Sequence, residues 1–135
     1  MGEEEDDCIF CRIIKGKAGC QKVYEDESSI AFLDAKPITR GHTLVLPKKH
    51  VEGLVDLSPN ERARFVESLV SVCRIIERLS PHYNIGCNRG RFAGQIISHL
   101  HVHVIPRYDE ERNIFNRRIL INPEDERRIL DDMGV

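Results

Sequence analysis

Seven consecutive residues, His99-Leu-His-Val-His-Val-Ile105, constrain the fold more than any other part of the chain. Polar and apolar side chains alternate there with the period of a β-strand. His99, His101 and His103 then share one face, with about 6.6 Å between successive members. Leu100, Val102 and Val104 point the other way, into a core. A strand with one apolar face needs a layer to cover it. Residues 58–80 supply that layer. Ser58 can cap a helix, Pro59 suits its first turn and Glu61 completes a capping box. Phe65, Leu69, Val72, Ile76 and Leu79 recur at helical spacing, and Pro81 ends the pattern.

The remaining elements are short. Residues 8–15 read as a helix carrying Ile9, Phe10, Ile13 and Ile14, stopped by Gly16. Residues 22–24, 30–33 and 43–47 read as strands, the last ended by Pro47. Residues 83–88 and 96–105 form two more, joined by the loop 89–94. Asn122-Pro123 starts a helix that reaches Met133. This order of elements is α+β: a mostly antiparallel β-sheet with one long amphipathic helix and a short N-terminal helix. A chain of 135 residues is one domain. We divide it into an acidic, solvated tail at 1–7, a domain at 8–108 and a C-terminal extension at 109–135.

Bulk properties exclude several classes of function. A net charge of −2 gives no footprint for non-specific nucleic-acid binding. The apolar runs are far shorter than the roughly 18 residues of a membrane span. The N-terminus is acidic where a signal peptide is basic and then apolar. The expected location is therefore cytoplasmic. Five cysteines with a single Cys-x-x-Cys spacing favour metal or free thiols over disulfides. Cys73 and Cys87 read as small buried hydrophobes and Cys20 as a loop thiol. His42, at a strand entrance, and His82 read as surface or loop residues.

The histidine strand carries the chemistry. A solvated face would be satisfied by serine, threonine or lysine. Three readings are open: an incidental polar face, a three-histidine zinc site, and nucleophilic with acid–base chemistry on a phosphoryl group. The third is favoured, because neutral imidazole is a good nucleophile near pH 7. The preceding loop supports it. Gly90 and Gly94 free backbone N–H groups to face an anion, Asn88 and Gln95 add amide donors, and Arg89 and Arg91 add positive charge.

These residues, with Pro47-Lys-Lys-His50, Ala31-Phe-Leu-Asp34 and Cys8-Ile-Phe-Cys-Arg-Ile-Ile14, resemble the histidine-triad superfamily across about three quarters of the chain. The resemblance is to the Hint branch, in particular its short prokaryotic-type members that begin with Cys-x-x-Cys. It implies a homodimer and a mononucleotide pocket for AMP- or GMP-type ligands. It implies hydrolysis or transfer of nucleoside phosphoramidates or related α-phosphate-linked nucleotides. His101 would attack the α-phosphate to give a covalent nucleotidyl-histidine. His103 would assist at a phosphate oxygen or the leaving group, and His99 completes the triad. Asn88, Gly94 and Gln95 would hold the phosphate, partly through backbone N–H groups, with no metal needed for the chemistry. Asp34 would bond the ribose, and Ile9, Phe10, Ile13 and Phe32 would wall the base. The same resemblance implies a closed, structural zinc site of Cys8, Cys11, His50 and His99. The chain departs from the family in carrying Ile96 where many members have serine or threonine. Two alternatives stand beside the main reading: a dinucleoside polyphosphate hydrolase of the Fhit type, and a purine-nucleotide-binding module without catalysis.

Overall fold

The computed structural model describes residues 7–109 and 121–135. Residues 1–6 of the proposed tail at 1–7 and the stretch 110–120 of the C-terminal extension lie outside them. Three helices and five strands follow in order: α1 (Ile9–Ile14), β1 (Lys22–Glu25), β2 (Ser29–Leu33), β3 (Thr43–Pro47), α2 (Pro59–Ile76), β4 (His82–Cys87), β5 (Val102–Arg107) and α3 (Pro123–Met133). The strands make one antiparallel sheet in the order β1-β2-β3-β5-β4. The α+β expectation holds.

Alternation along β2 and β3 divides the core in two. Ala31, Leu33 and Val45 face α2 and pack with Phe65, Val72, Ile76, Leu100, Val102 and Val104. Ile30, Phe32, Leu44 and Leu46 face the opposite side and pack under α1 with Cys8, Phe10 and Cys11. Both strands are buried throughout because both faces are covered. Ser58 and Glu61 exchange the two hydrogen bonds of the capping box at the start of α2. Asn122 caps α3, and Gly134 closes it at φ +76°. Ile129 and Met133 of α3 enter the α2-side core. No helix among the described residues is long and apolar enough to cross a membrane.

One expected boundary is wrong in an informative way. The last strand does not begin at Ile96 but at Val102. Residues 96–101 are irregular, so only His103 of the three histidines is on a strand. Leu100 N–H bonds Val51 O at 2.6 Å, a non-sheet partner that draws this segment away from β3.

Asp26 ties the β1–β2 turn to α2. Its carboxylate accepts from Tyr24 Oη at 2.7 Å, Ser68 Oγ at 2.6 Å and the N–H groups of Ser28 and Ser29 at 2.9 Å each. Burial alone would raise its pKa, but these bonds outweigh it and bring it down from 3.8 to about 2. A carboxyl whose pKa falls on folding stabilises the fold above its unfolded value and loses that contribution as pH drops toward the folded one. Asp26→Asn should therefore lower the melting temperature by several degrees at pH 7, and the gap from wild type should close between pH 4 and pH 2. A gap of the same size at both ends of that range would contradict the assignment.

Candidate functional site

The pairing of Leu44 with His103 places His103 on the α1 side of the sheet. The His101 ring lies 5.1 Å from His103 and 5.1 Å from Phe10, centroid to centroid. Phe10 in turn meets Phe32 edge-on at 5.6 Å. α1 thus brings Phe10 against the central histidine, with Phe32 behind it. Ile13 packs partly buried against the same cluster, whereas Ile9 is 39% exposed.

Hydrogen-bond partners fix the tautomer of each ring, because a carbonyl only accepts and an amide N–H only donates. His99 Nε2 lies 2.8 Å from Pro47 O and must carry its proton there, which leaves the Nδ1 lone pair facing the cysteines. His101 Nδ1 lies 2.8 Å from His99 O and must donate, which leaves its Nε2 lone pair available. His42 Nδ1 accepts from Ile38 N–H at 2.9 Å, so its proton is on Nε2. That nitrogen lies 2.9 Å from His103 Nδ1 and donates to it, which leaves His103 presenting Nε2–H. Burial lowers the His99 pKa to about 4 and lowers that of His101 in the same direction. Both rings are therefore neutral at pH 7.

His42 is the functional residue that sequence reasoning missed. It is not at the surface; its exposure is 0%. Its Nε2 is also 3.5 Å from Asp34 Oδ2, so Asp34, His42 and His103 form one cluster. Their ligand atoms lie within 4.8 Å of one another, a spacing a metal ion can bridge. The Ile38 N–H decides against that use, because it forces the proton onto the His42 nitrogen that a metal would need. A hydrogen-bond chain from Ile38 N–H through His42 orients His103, with Asp34 beside it. Asp34 also accepts from Lys36 N–H at 2.9 Å, so its turn role and its place beside the histidines coexist.

Cys8, Cys11, His50 and His99 form the second cluster, again within 4.8 Å. His99 Nδ1 lies 3.6 Å from both sulfurs, and His50 Nδ1 lies 3.2 Å from Cys11 Sγ. Around a tetrahedral zinc, Zn–S of about 2.3 Å and Zn–N of about 2.05 Å put S and N roughly 3.6 Å apart. The donor set, the spacing and the His99 tautomer fit a metal ion, and the Pro47 carbonyl supplies the outer partner that a ligating histidine takes.

The phosphate-loop candidates divide. Asn88 is exposed, and its Nδ2 lies 3.3 Å from where a Cβ on Gly94 would stand, so only glycine fits there comfortably, with φ at +97°. Gly94 N–H is taken by Arg91 O and Gln95 N–H by Gly90 O. Both ends of the Gln95 carboxamide are also engaged within the protein. The next N–H groups, at Ile96, Ile97 and Ser98, meet no main-chain acceptor among the described residues. Cys87 is exposed, contrary to its reading as a buried hydrophobe; Cys73 is buried and Cys20 exposed, as expected.

Residues 15–110 match the HIT domain family. The chain belongs to that family. An uncharacterized HIT-like protein of Methanocaldococcus jannaschii is 43% identical over 79% of this chain and 84% of its own length. The adenosine 5′-monophosphoramidase hnt1 of Schizosaccharomyces pombe is 41% identical over 77% of each chain. Among solved structures, a zinc-bound histidine triad family protein from Mycobacterium smegmatis superposes with a TM-score of 0.76, at 34% identity, over 97% of this chain and 96% of that one. One HIT relative is thus named as an adenosine 5′-monophosphoramidase, and a zinc-bound HIT structure of the same fold exists.

Proposed function

We propose that this HIT protein is a nucleotidyl hydrolase or transferase acting on purine nucleoside phosphoramidates or related α-phosphate-linked nucleotides. The carrying observation is the His101 tautomer: Nδ1–H is anchored on a backbone carbonyl, and a neutral Nε2 lone pair is left facing the site. Attack by that lone pair forms a nitrogen–phosphorus bond as the bond to the leaving amine breaks. Water then cleaves the intermediate, releases the nucleoside monophosphate and restores the ring. His103 presents Nε2–H to a phosphoryl oxygen or the leaving group, with His42 behind it. The N–H groups of residues 96–98, with the Asn88 side chain, take the phosphate on a loop shaped by Gly94, whose own N–H stays on Arg91 O; Asp34 takes the ribose, and Phe10 and Phe32 wall the base. His99 acts through its carbonyl alone, because its ring belongs to the cysteine cluster. We assign zinc to that cluster, in a closed four-ligand site with a structural role. We also take 8–108 as the domain that carries the site and 109–135 as an extension.

The substrate is tested by comparing kcat/KM for adenosine 5′-phosphoramidate with that for diadenosine tri- and tetraphosphate. The proposal expects the phosphoramidate to be preferred by tenfold or more. Preference for the dinucleotides moves the protein to the alternative hydrolase class, and AMP binding with no turnover of any of them leaves a binding module.

We further infer a homodimer. β4 is an edge strand that pairs only with β5 among the described residues. Ile85 on it is 53% exposed, and Val66 and Val70 on α2 are 50% and 39% exposed. A symmetric copy pairing along β4 would cover both the edge and these side chains. Sedimentation at micromolar concentration should give twice the 15.5 kDa of the chain, and a single 15.5 kDa species excludes the dimer.

A further inference from the structure

Gln95 is buried, at 6% exposure, in a loop whose neighbours are exposed. Each end of its side chain holds a main-chain partner. Gly90 N–H donates to Gln95 Oε1 at 2.8 Å, and Gln95 Nε2 donates to Glu52 O at 3.0 Å. Its own N–H closes the loop on Gly90 O at 3.0 Å. Two other contacts join the same pair of segments. Leu100 N–H bonds Val51 O, and the Arg89 side chain lies across Gly53 so closely that a Cβ there would stand 2.7 Å from Arg89 Cδ. The turn after His50 is therefore the fixed wall to which loop 89–100 is attached.

We propose that Gln95 is a positioning residue that never touches the nucleotide. It closes the 90–95 loop and fastens it to the turn at residues 51–53, and so aims the N–H groups of residues 96–98 at the phosphate. A carboxamide suits the task because one end must accept and the other donate in a nearly dry place. Methionine fills a similar volume, cannot donate and accepts only weakly. Glutamate keeps the acceptor for Gly90 N–H and loses the donor to Glu52 O. The proposal rests on the nucleotidyl-transfer reading for what the loop holds, but not for the staple itself.

The test is amide hydrogen exchange in the full chain without ligand, combined with binding and kinetics. Gly90 N–H should be protected in the wild-type protein. Gln95→Met should raise its exchange rate tenfold or more, and Gln95→Glu should keep more of the protection than Gln95→Met. Gln95→Met should also weaken AMP binding about tenfold and leave adenosine binding unchanged. With adenosine 5′-phosphoramidate, KM should rise about tenfold while kcat stays within threefold, because a displaced loop loses binding common to the ground and transition states. An unprotected Gly90 in the wild-type protein overturns the proposal, and so does unchanged Gly90 exchange in Gln95→Met. A kcat loss of a hundredfold with Gly90 still protected assigns Gln95 to the phosphoryl group itself and also overturns it. If the wild-type protein binds no nucleotide, the catalytic reading fails while Gly90 exchange still decides the staple.

Discussion

His101→Ala is expected to lower kcat for adenosine 5′-phosphoramidate by on the order of 10⁴-fold or more, while AMP still binds within a few-fold of wild type. At about 1.36 kcal/mol per tenfold, the loss exceeds roughly 5 kcal/mol of barrier stabilisation, the scale of removing a covalent nucleophile rather than a helper. On the proposed reading binding survives because other groups build the pocket: Phe10 and Phe32 meet edge-on beside the histidines, and the loop before the triad carries the N–H donors. His103→Ala should cost roughly 10²–10⁴, the range of an acid–base or positioning group. His101→Asn should be as inactive as His101→Ala, since it supplies no nucleophilic nitrogen. Rapid quench with labelled substrate, followed by peptide mapping, should place an acid-labile label on His101. Label on His103, or near-normal turnover by His101→Ala, would return the histidines to a binding role.

Local signals made much of this legible in the sequence. The capping box at Ser58 and the helical spacing of Phe65, Leu69, Val72 and Ile76 each specify their element without distant help. Alternation also identified the face of the sheet on which His103 stands. It failed over residues 99–101, where period-2 patterning is present without a strand. The pattern there reflects two destinations, with the His99 ring drawn to Cys8 and Cys11 and the Leu100 main chain drawn to Val51. His42 was illegible for a related reason. One polar residue before a buried run reads as a loop, and only the register of Leu44 against His103 brings it behind the triad. Gln95 was visible as part of a phosphate loop, but its partner Glu52 O is 43 residues away in the chain. Spacing within a motif therefore singled out the candidate residues, and long-range partners decided what each of them bonds.

Cys11→Ser is expected to abolish metal binding and to lower the melting temperature by roughly 10–20 °C. An ion bound a thousandfold above its dissociation constant stabilises by about 4 kcal/mol, and each kcal/mol moves the midpoint of a chain this size by a few degrees. The local structure gives the reason for so large a dependence. α1 has only six residues, too few to be stable alone. It is held by Cys8 at its cap and Cys11 within it, both buried against His99. Without the ion, two thiols and the His99 Nδ1 lone pair are left facing one another in a buried cluster through weak sulfur hydrogen bonds. Chemistry should suffer less. Four protein ligands leave no open coordination position, and the His99 carbonyl that holds His101 can persist while the chain stays folded. At a temperature where Cys11→Ser is fully folded, kcat should remain within tenfold of wild type. Metal analysis of protein purified without chelator should give one zinc per chain, and none in Cys11→Ser. Wild-type protein without metal, or a Cys11→Ser variant that keeps both its zinc and its melting temperature, would remove the metal centre from this account. A collapse of kcat in folded Cys11→Ser protein would instead make the ion part of the catalytic apparatus.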